Sequence, residues 1–497
     1  MPAMRRLILS GLVVWALASG APYNQVDAQS APAITILHVN DVYEIDGIGG
    51  GRFGGLARAA TVVQQLERSS SPVLMTLGGD YLSPSAIGTA IVDGAPLAGR
   101  QMIDVLNRVG LDWAVLGNHE FDVSEAAFRA RLAEGRFGVV ASNVSDANGQ
   151  PFPGTVRSAI VALRSGEHTI RVGLLGLTVD YSRRPWVRYT SPIEAAREQI
   201  AELKGKTDAV IALTHLPLAA DQELVTAVRG IDLVLGGHEH ENVVVRRGPD
   251  FTPIIKADAN ARTMAVVTLT FESADSRPTV VSRFEVIDER VQPDQKVQGI
   301  IRTWTAIAYE AFRKSGFEPN RVIATLSEPL DGRESLVRNG PGRLTDLITA
   351  AFDREAGGVD VAIFNGGSVR IDDVIPAGPM TEYDVLRVLP FGGNVTRALL
   401  DGSLLASVLD TGVRNRGNGG YLHARGAHRE GDKWIVQGAA LDPSRRYAVA
   451  LTDFLISGGE TNLGFLTRNN PAVHDVQDLG DVRAAVIAEI RARPAQK

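Results

Sequence analysis

The sequence of 497 residues contains no cysteine, which excludes both a disulfide framework and a lipidated N-terminal cysteine. A large excess of either charge is also lacking. A formal net charge of -6 offers neither a basic groove for a nucleic-acid polymer nor a membrane-binding face, so any affinity for phosphate must come from local groups. Internal repeats are absent, and apolar runs long enough for a comfortable membrane span are missing too. The stretch Leu7 to Ala18 follows Arg5 and Arg6 and leads through Ser19-Gly20-Ala21 to Val26-Asp27-Ala28. A charged start, a short apolar middle and a small-residue exit are the pattern of a signal peptide, 1–28, with cleavage expected after Ala28 and, as the alternative, after Gly20. The expectation is a periplasmic or secreted protein with no stable membrane anchor.

What is present is a set of short apolar runs, each ending in a polar, glycine-rich segment. Val73-Leu74-Met75-Thr76-Leu77 runs into Gly79-Asp80, Trp113-Ala114-Val115-Leu116 into Gly117-Asn118-His119-Glu120-Phe121-Asp122, and Leu233-Val234-Leu235 into Gly237-His238-Glu239-His240. Such runs have the character of buried parallel strands, and open α/β sheets collect their sites at strand ends. From Ile34 to about Val286 strand and helix patterns alternate, as in βαβ units. Ser191-Pro192-Ile193-Glu194 carries the signature of a helix start, and that helix leads to a strand, Ala209 to Leu213, which delivers His215.

The length calls for two domains. Between Pro293 and Gly316, Val297, Ile301, Trp304, Ala308 and Ala311 recur at helical spacing and predict a linker helix. A second α/β pattern follows, with a strand Val322 to Leu326, a helix near Leu344 to Arg354 and a strand Val359 to Phe364. The expected division is a first domain over 29–292, the linker helix over 293–318 and a substrate domain over 319–497.

The polar segments suit a two-metal phosphoester hydrolase, which needs a bridging carboxylate, neutral imidazoles and an open position for water. Asp80 is the candidate bridge. With it, Asn118, His215 and His238 would hold one ion, while Asp41 and His240 fall to the other. His119, oriented by Asp122, would stabilise the transferred phosphoryl group or protonate the leaving oxygen. His38 reads as a hydrogen-bonded core residue.

With these residues in hand, the chain resembles the secreted bifunctional 5'-nucleotidase/UDP-sugar hydrolase family. Leu37-His38-Val39-Asn40-Asp41, Gly78-Gly79-Asp80, Gly117 to Asp122, Thr214-His215 and Gly237-His238 match that family's metal motifs in order. The resemblance implies a four-layer αββα metallophosphoesterase domain, a connecting helix and a C-terminal nucleotide-binding α/β domain. It also implies two divalent ions, drawn from Mn, Zn, Fe or Co. In the second domain, Phe364 to Arg370 resembles the motif whose asparagine and arginine, here Asn365 and Arg370, contact the nucleotide. The segments around Phe391 and Phe454 resemble the two aromatic motifs that sandwich the base, and Arg338 is a further phosphate candidate.

Three positions depart from the family pattern. Tyr43 stands where a metal-binding histidine is usual, Glu460 where an aspartate bonds the ribose, and Pro341-Gly342-Arg343-Leu344 replaces a Gly-Asn-Leu segment. The leading expectation is an exported 5'-nucleotidase working by metal-bound hydroxide attack on nucleotide 5'-phosphates. Alternatives are a UDP-sugar hydrolase, a 2',3'-cyclic phosphodiesterase with 3'-nucleotidase activity, a thiosulfohydrolase of the same fold, and a catalytically weakened nucleotide-binding surface protein.

Overall fold

Alternation of side chains along each strand sets the layers of the N-terminal half. In the computed structural model, residues 31–69, 71–272 and 277–493 are described. The signal-peptide segment, 1–28, lies outside them. The strand Ala33–Val39 sends Ile34 and Ile36 to one face and Leu37 and Val39 to the other, all fully buried. Leu74 opposes Met75 and Leu77 in the same way along Val73–Leu77.

The even-numbered positions of Ala33–Val39 meet Ile211, Leu213, Leu233 and Leu235 of a second sheet in one apolar layer. The opposite face packs under the helices Leu56–Glu67 and Arg100–Val109. In the second sheet Val210, Ala212 and Val234 turn outward to the helices Pro192–Leu203 and Leu218–Ala227. The result is the four-layer αββα arrangement expected from the family resemblance. Both sheets are parallel through their centres: Ala33–Val39, Val73–Leu77, Trp113–Val115, Gly138–Val140 and Thr155–Val156 in the first, and His168–Thr178, Ala209–His215, Leu233–Gly236 and Thr252–Lys256 in the second. Antiparallel strands close their edges, among them Thr263–Thr270 beside Ala33–Val39 and Ser158–Ser165 beside His168–Thr178. The alternating sequence pattern gave no sign of these edges.

The C-terminal half is built on a five-stranded sheet ordered Leu422–Arg425, Val361–Asn365, Arg446–Thr452, Asn394–Asp401, Val473–Asp481. Val361 and Ile363 point to the helix Gly402–Arg414, while Ala362 and Phe364 point to Arg343–Glu355 and Val482–Ala492.

The helix Gln295–Lys314 begins where Asp294 Oδ1 accepts from Lys296 N and Val297 N at 3.0 and 2.8 Å. It is no free tether. Val297, Ile301, Ala308, Ala311 and Phe312 are buried in the core shared with Leu56–Glu67 and Arg100–Val109. Trp304 Nε1 donates to Asp104 Oδ2 at 2.8 Å, and toward the C-terminal half the Tyr309 ring meets Tyr383 with centroids 4.9 Å apart. Replacing Ile301, which is wholly buried, by alanine is expected to cost about 2–5 kcal/mol of stability in urea unfolding, through lost burial and a residual cavity. Arg302→Ala, on the exposed face of the same helix, should stay within about 0.5 kcal/mol.

Candidate metal centre and active site

All the central strands deliver their ends to one side of the N-terminal half. Asp41 follows Ala33–Val39, Asp80 follows Val73–Leu77, Asn118 precedes the single turn His119–Asp122, His215 closes its strand, and His238 follows Leu233–Gly236. Asp41, Asp80, His238 and His240 take φ of 52°, 56°, 87° and 57°, left-handed backbone that costs non-glycine residues about 1–3 kcal/mol each and persists where surrounding contacts impose it. The loops meet backbone to backbone. A Cβ on Gly79 would lie 2.7 Å from His215 Nδ1 and 2.8 Å from Gly117 N, so a side chain there would push the loops apart.

Asp41, Asp80 and His215 offer ligand atoms that lie within 4.8 Å of one another, all buried. His215 donates from Nδ1 to Gly78 O at 2.7 Å, which turns the lone pair of Nε2 toward the carboxylates in the neutral ring. That Nε2 stands 3.1 Å from Asp80 Oδ2 but out of line for a hydrogen bond, and among the described residues neither it nor the buried Asn118 Oδ1 has a hydrogen-bond partner. An orphaned imidazole nitrogen set against two buried carboxylates, with a further orphaned acceptor at the end of a neighbouring strand, fits a cation. The proton equilibria point the same way. Burial pulls the His215 imidazole down, yet Asp80 and Asp41 overcome it and raise its pKa to about 9. Burial likewise opposes ionisation of Asp41 and Asp80, and the nearby imidazoles still hold both below the usual carboxylate range. His238, half-buried and facing His215, is pushed down to about 3 by desolvation and the neighbouring imidazole, as suits a neutral ligand.

On the other side, His240 Nε2 lies 3.2 Å from Asp41 Oδ1. Tyr43 reaches the same point: its hydroxyl oxygen is 2.8 Å from His240 Nε2, 3.2 Å from Asp41 Oδ1 and 3.4 Å from Asp80 Oδ2. Burial, reinforced by the negative charge of Asp41 and Asp80, drives the phenol well above its ordinary pKa.

His119 and Asp122 form a close pair, Nδ1 to Oδ2 2.5 Å, and Nε2 faces Asp80 Oδ2 at 4.0 Å. Arg370, from the C-terminal half, donates NH1 toward the same Nε2 at 3.5 Å while its guanidinium lies 5.5 Å over the Phe391 ring. Asn365 Nδ2 donates to Glu460 Oε2 at 2.7 Å. Arg338 is paired with Glu334, and its backbone oxygen receives Gly417 N. Phe391 and Phe454 are 52% and 45% exposed, large apolar rings left open to solvent. Their loops are tied by Asn394 N to Asp453 Oδ2 at 2.9 Å and Asp453 N to Asn394 O at 3.0 Å. The structure thus gathers Asp41, Tyr43, Asp80, His215, His240, His119, Asp122 and Arg370 into one contact network, with Asn118 and His238 at its edge. Of the remaining candidates, Phe391 lies under Arg370 and Phe454 stands on the loop tied to that of Phe391, while Asn365 with Glu460 and Arg338 with Glu334 make pairs of their own in the C-terminal half. His38 bonds Thr76 Oγ1 at 2.9 Å and Gly236 O at 3.0 Å, bridging the two sheets away from this network.

Sequence reasoning gave no role to three residues here. Glu120, fully buried, accepts from the backbone N–H groups of Gly117, Asp80, Tyr81 and Leu82 and so fixes the loop that carries Asp80. Its presence in the His119 motif was the available signal. Tyr181, 63% exposed, places its ring 5.5 Å from that of His238. Asp372 accepts from His240 Nδ1 at 2.7 Å across the two halves of the molecule, a contact between residues 132 apart in sequence.

Two family models match the chain: the calcineurin-like phosphoesterase domain over residues 34–242 and the 5'-nucleotidase C-terminal domain over 322–467. The chain belongs to the calcineurin-like phosphoesterases that carry a 5'-nucleotidase C-terminal domain. It is 24% identical to the 5'-nucleotidase of Bos taurus, over 96% of this chain and 90% of that protein. It is also 24% identical to the trifunctional nucleotide phosphoesterase protein YfkN of Bacillus subtilis, over 86% of this chain but only 32% of that much longer relative. In fold it is similar to a 5'-nucleotidase precursor from Thermus thermophilus, with a TM-score of 0.77 at 23% identity, covering 92% of this chain and 96% of that one. The sulfate thiohydrolase SoxB of Thermus thermophilus is also similar, at a TM-score of 0.69 and 18% identity over 92% of this chain and 94% of that one, so the fold alone leaves the substrate open.

Members of this family are metal-dependent phosphoester hydrolases with a dinuclear centre of divalent ions, and this one presents a matching Asp/His group. Tyr43 then sets a test. Tyr43→His should tighten the second equivalent of Mn²⁺ and lower the Mn²⁺ needed for half-maximal turnover, because imidazole binds a divalent ion at neutral pH where a phenol of pKa about 10 or more stays protonated. Unchanged Mn²⁺ affinity in a direct titration would remove Tyr43 from the ligand position.

Proposed function

We propose that the protein is an exported 5'-nucleotidase, releasing nucleoside and inorganic phosphate. The observation that carries this reading is Arg370, which touches His119 at 3.5 Å and lies over the exposed Phe391 ring at 5.5 Å. One residue therefore joins a phosphate-handling histidine to an aromatic face. A base stacked on Phe391 and Phe454, at about 1–3 kcal/mol per base, would leave its 5'-phosphate beside Arg370 and His119. Asn365 and Glu460, already bonded to each other, would meet the sugar, and Arg338 would offer a further phosphate contact.

Asp80, Asn118, His215 and His238 would hold one divalent ion and Asp41, Asp80 and His240 the other. Two divalent ions held there would supply the Lewis-acid charge and the acidified water that attack at phosphorus needs. The chain's own groups do the rest. Arg370 neutralises the phosphoryl oxygens and is held against them by its stack on Phe391. His119, anchored by Asp122 through Nδ1, presents Nε2 to the leaving oxygen, where a proton on that nitrogen can pass to the departing ribose.

The division into a metal domain over 29–292, a helix over 293–318 and a substrate domain over 319–497 is part of this proposal, supported by one apolar cluster confined to each half, with a further cluster joining the two through the helix. Export rests on the Arg5 to Ala28 pattern. No helix among the described residues is long and apolar enough to cross a membrane.

A panel of nucleoside mono-, di- and triphosphates, UDP-glucose and 2',3'-cyclic nucleotides, assayed with added Mn²⁺, tests the reading. AMP and its congeners should be turned over fastest. Preference for UDP-glucose or cyclic nucleotides would replace the scissile bond, and binding without turnover would make the protein a nucleotide-binding surface protein. Replacing Phe391 and Phe454 together by alanine should raise KM for AMP far more than for a small aryl phosphate; equal effects would remove the base sandwich. Asp80→Ala and His215→Ala should lose bound metal and turnover, whereas His119→Ala should keep the metal and lose about 10²–10⁴-fold in rate. Metal loss in the His119 variant, read by elemental analysis, would move that residue into the ligand set.

A further inference from the structure

The segment that follows the strand Val361–Asn365 touches the metal centre at two places. Arg370 reaches His119, and two residues later Asp372 reaches His240. Asp372 is 9% exposed and its carboxylate is fully engaged: Oδ2 takes His240 Nδ1 at 2.7 Å and Oδ1 takes Glu334 N at 2.7 Å. Its backbone is fixed as well, since Arg262 NH2 donates to Asp372 O at 2.8 Å and φ is held at 36°. A left-handed aspartate buried at the seam between two halves is costly unless those contacts impose it. The contacts all serve to aim one carboxylate oxygen at one imidazole.

That bond decides what the other ring nitrogen does. With Nδ1–H donated to Asp372, the Nε2 lone pair of the neutral ring points at the gap between Asp41 Oδ1, 3.2 Å away, and the Tyr43 hydroxyl, 2.8 Å away. We propose that Asp372 is a positioning residue of the metal centre, through which the C-terminal half sets the affinity of the ion position formed by Asp41 and His240. The bond matters more here because Tyr43 is a poor ligand for a divalent ion, leaving His240 as the principal imidazole of that position. The neighbouring Asp373 offers a built-in contrast. It accepts from Gly49 N at 3.0 Å and meets Arg262 at 3.3 Å and Arg387 at 3.6 Å, so it belongs to the same seam but touches none of the candidate ligands.

The inference rests on the assignment of Asp41 and His240 to one ion, and the test separates the two. The metal-stripped full-length protein is titrated with Mn²⁺ by calorimetry and by electron paramagnetic resonance. Wild type should bind two equivalents; a wild-type protein that binds fewer overturns the two-ion assignment itself. Asp372→Ala should weaken one equivalent by about 10–100-fold and leave the other unchanged. Asp372→Asn, whose amide oxygen can still accept from Nδ1–H, should fall between alanine and wild type, and it carries the test by itself if the alanine variant fails to fold. Asp373→Asn should bind both equivalents as wild type does. Two unchanged equivalents in Asp372→Ala, equal weakening of both, or the same loss in Asp373→Asn would overturn the role of Asp372.

Discussion

Two carboxylates, Asp41 and Asp80, are buried within 4.8 Å of each other at the ends of adjacent parallel strands, and most of the surrounding structure answers that arrangement. At an effective dielectric near 20, two such charges repel by at least about 3.5 kcal/mol, before the cost of desolvating each is counted. His215 and His240 sit against them, and burial alone would leave both imidazoles neutral. In the protein the carboxylates reverse that preference and raise both rings above the ordinary imidazole pKa. A pocket that draws protons so strongly is equally a pocket for cations. The four-layer sandwich supplies the rigidity for it: each ligand loop leaves a strand whose two faces are buried, so a loop cannot yield without disturbing a core.

Glycine and Glu120 let those loops converge. Gly79 and Gly117 remove the side chains that would hold the second and third strand ends apart, and Glu120 gathers four backbone N–H groups around one carboxylate. Burial and the nearness of Asp80 raise the Glu120 pKa to about 7, even though the four donors favour its ionised form.

Much of this was legible in the sequence because each candidate ligand follows a short apolar run. Asp80, Asn118, His215 and His238 could be assigned to strand ends from local pattern alone, and the helix Gln295–Lys314 was visible in the spacing of Val297, Ile301 and Ala308. Local pattern does not report which strands share a sheet. A single alternating stretch folds into two sheets with antiparallel edges such as Ser158–Ser165. Nor does it report contacts made across the seam. Arg370 and His119 lie 251 residues apart, and Asp372 reads as one member of an unremarked Asp-Asp pair until the fold brings it to His240. Glu120 stood in plain view inside a motif, but its function, accepting backbone N–H groups from two loops, exists only once the loops have met.

The centre that results is asymmetric. On the His215 side the buried acceptor atoms Asn118 Oδ1 and His215 Nε2 have no hydrogen-bond partner among the described residues. On the His240 side the Tyr43 hydroxyl already lies against His240 Nε2 and Asp41 Oδ1. Burial and two carboxylates keep that phenol protonated, so its single O–H is a neutral donor for one of the acceptors that a cation would otherwise meet. An ion held on the His215 side would meet two acceptors that have no other partner. An ion held on the His240 side would gain only the difference between its own bonds and the one the phenol gives up. On the proposed assignment the two ion positions would differ in affinity for a reason that lies in the chain, and the His240 side is the side that the C-terminal half touches through Asp372.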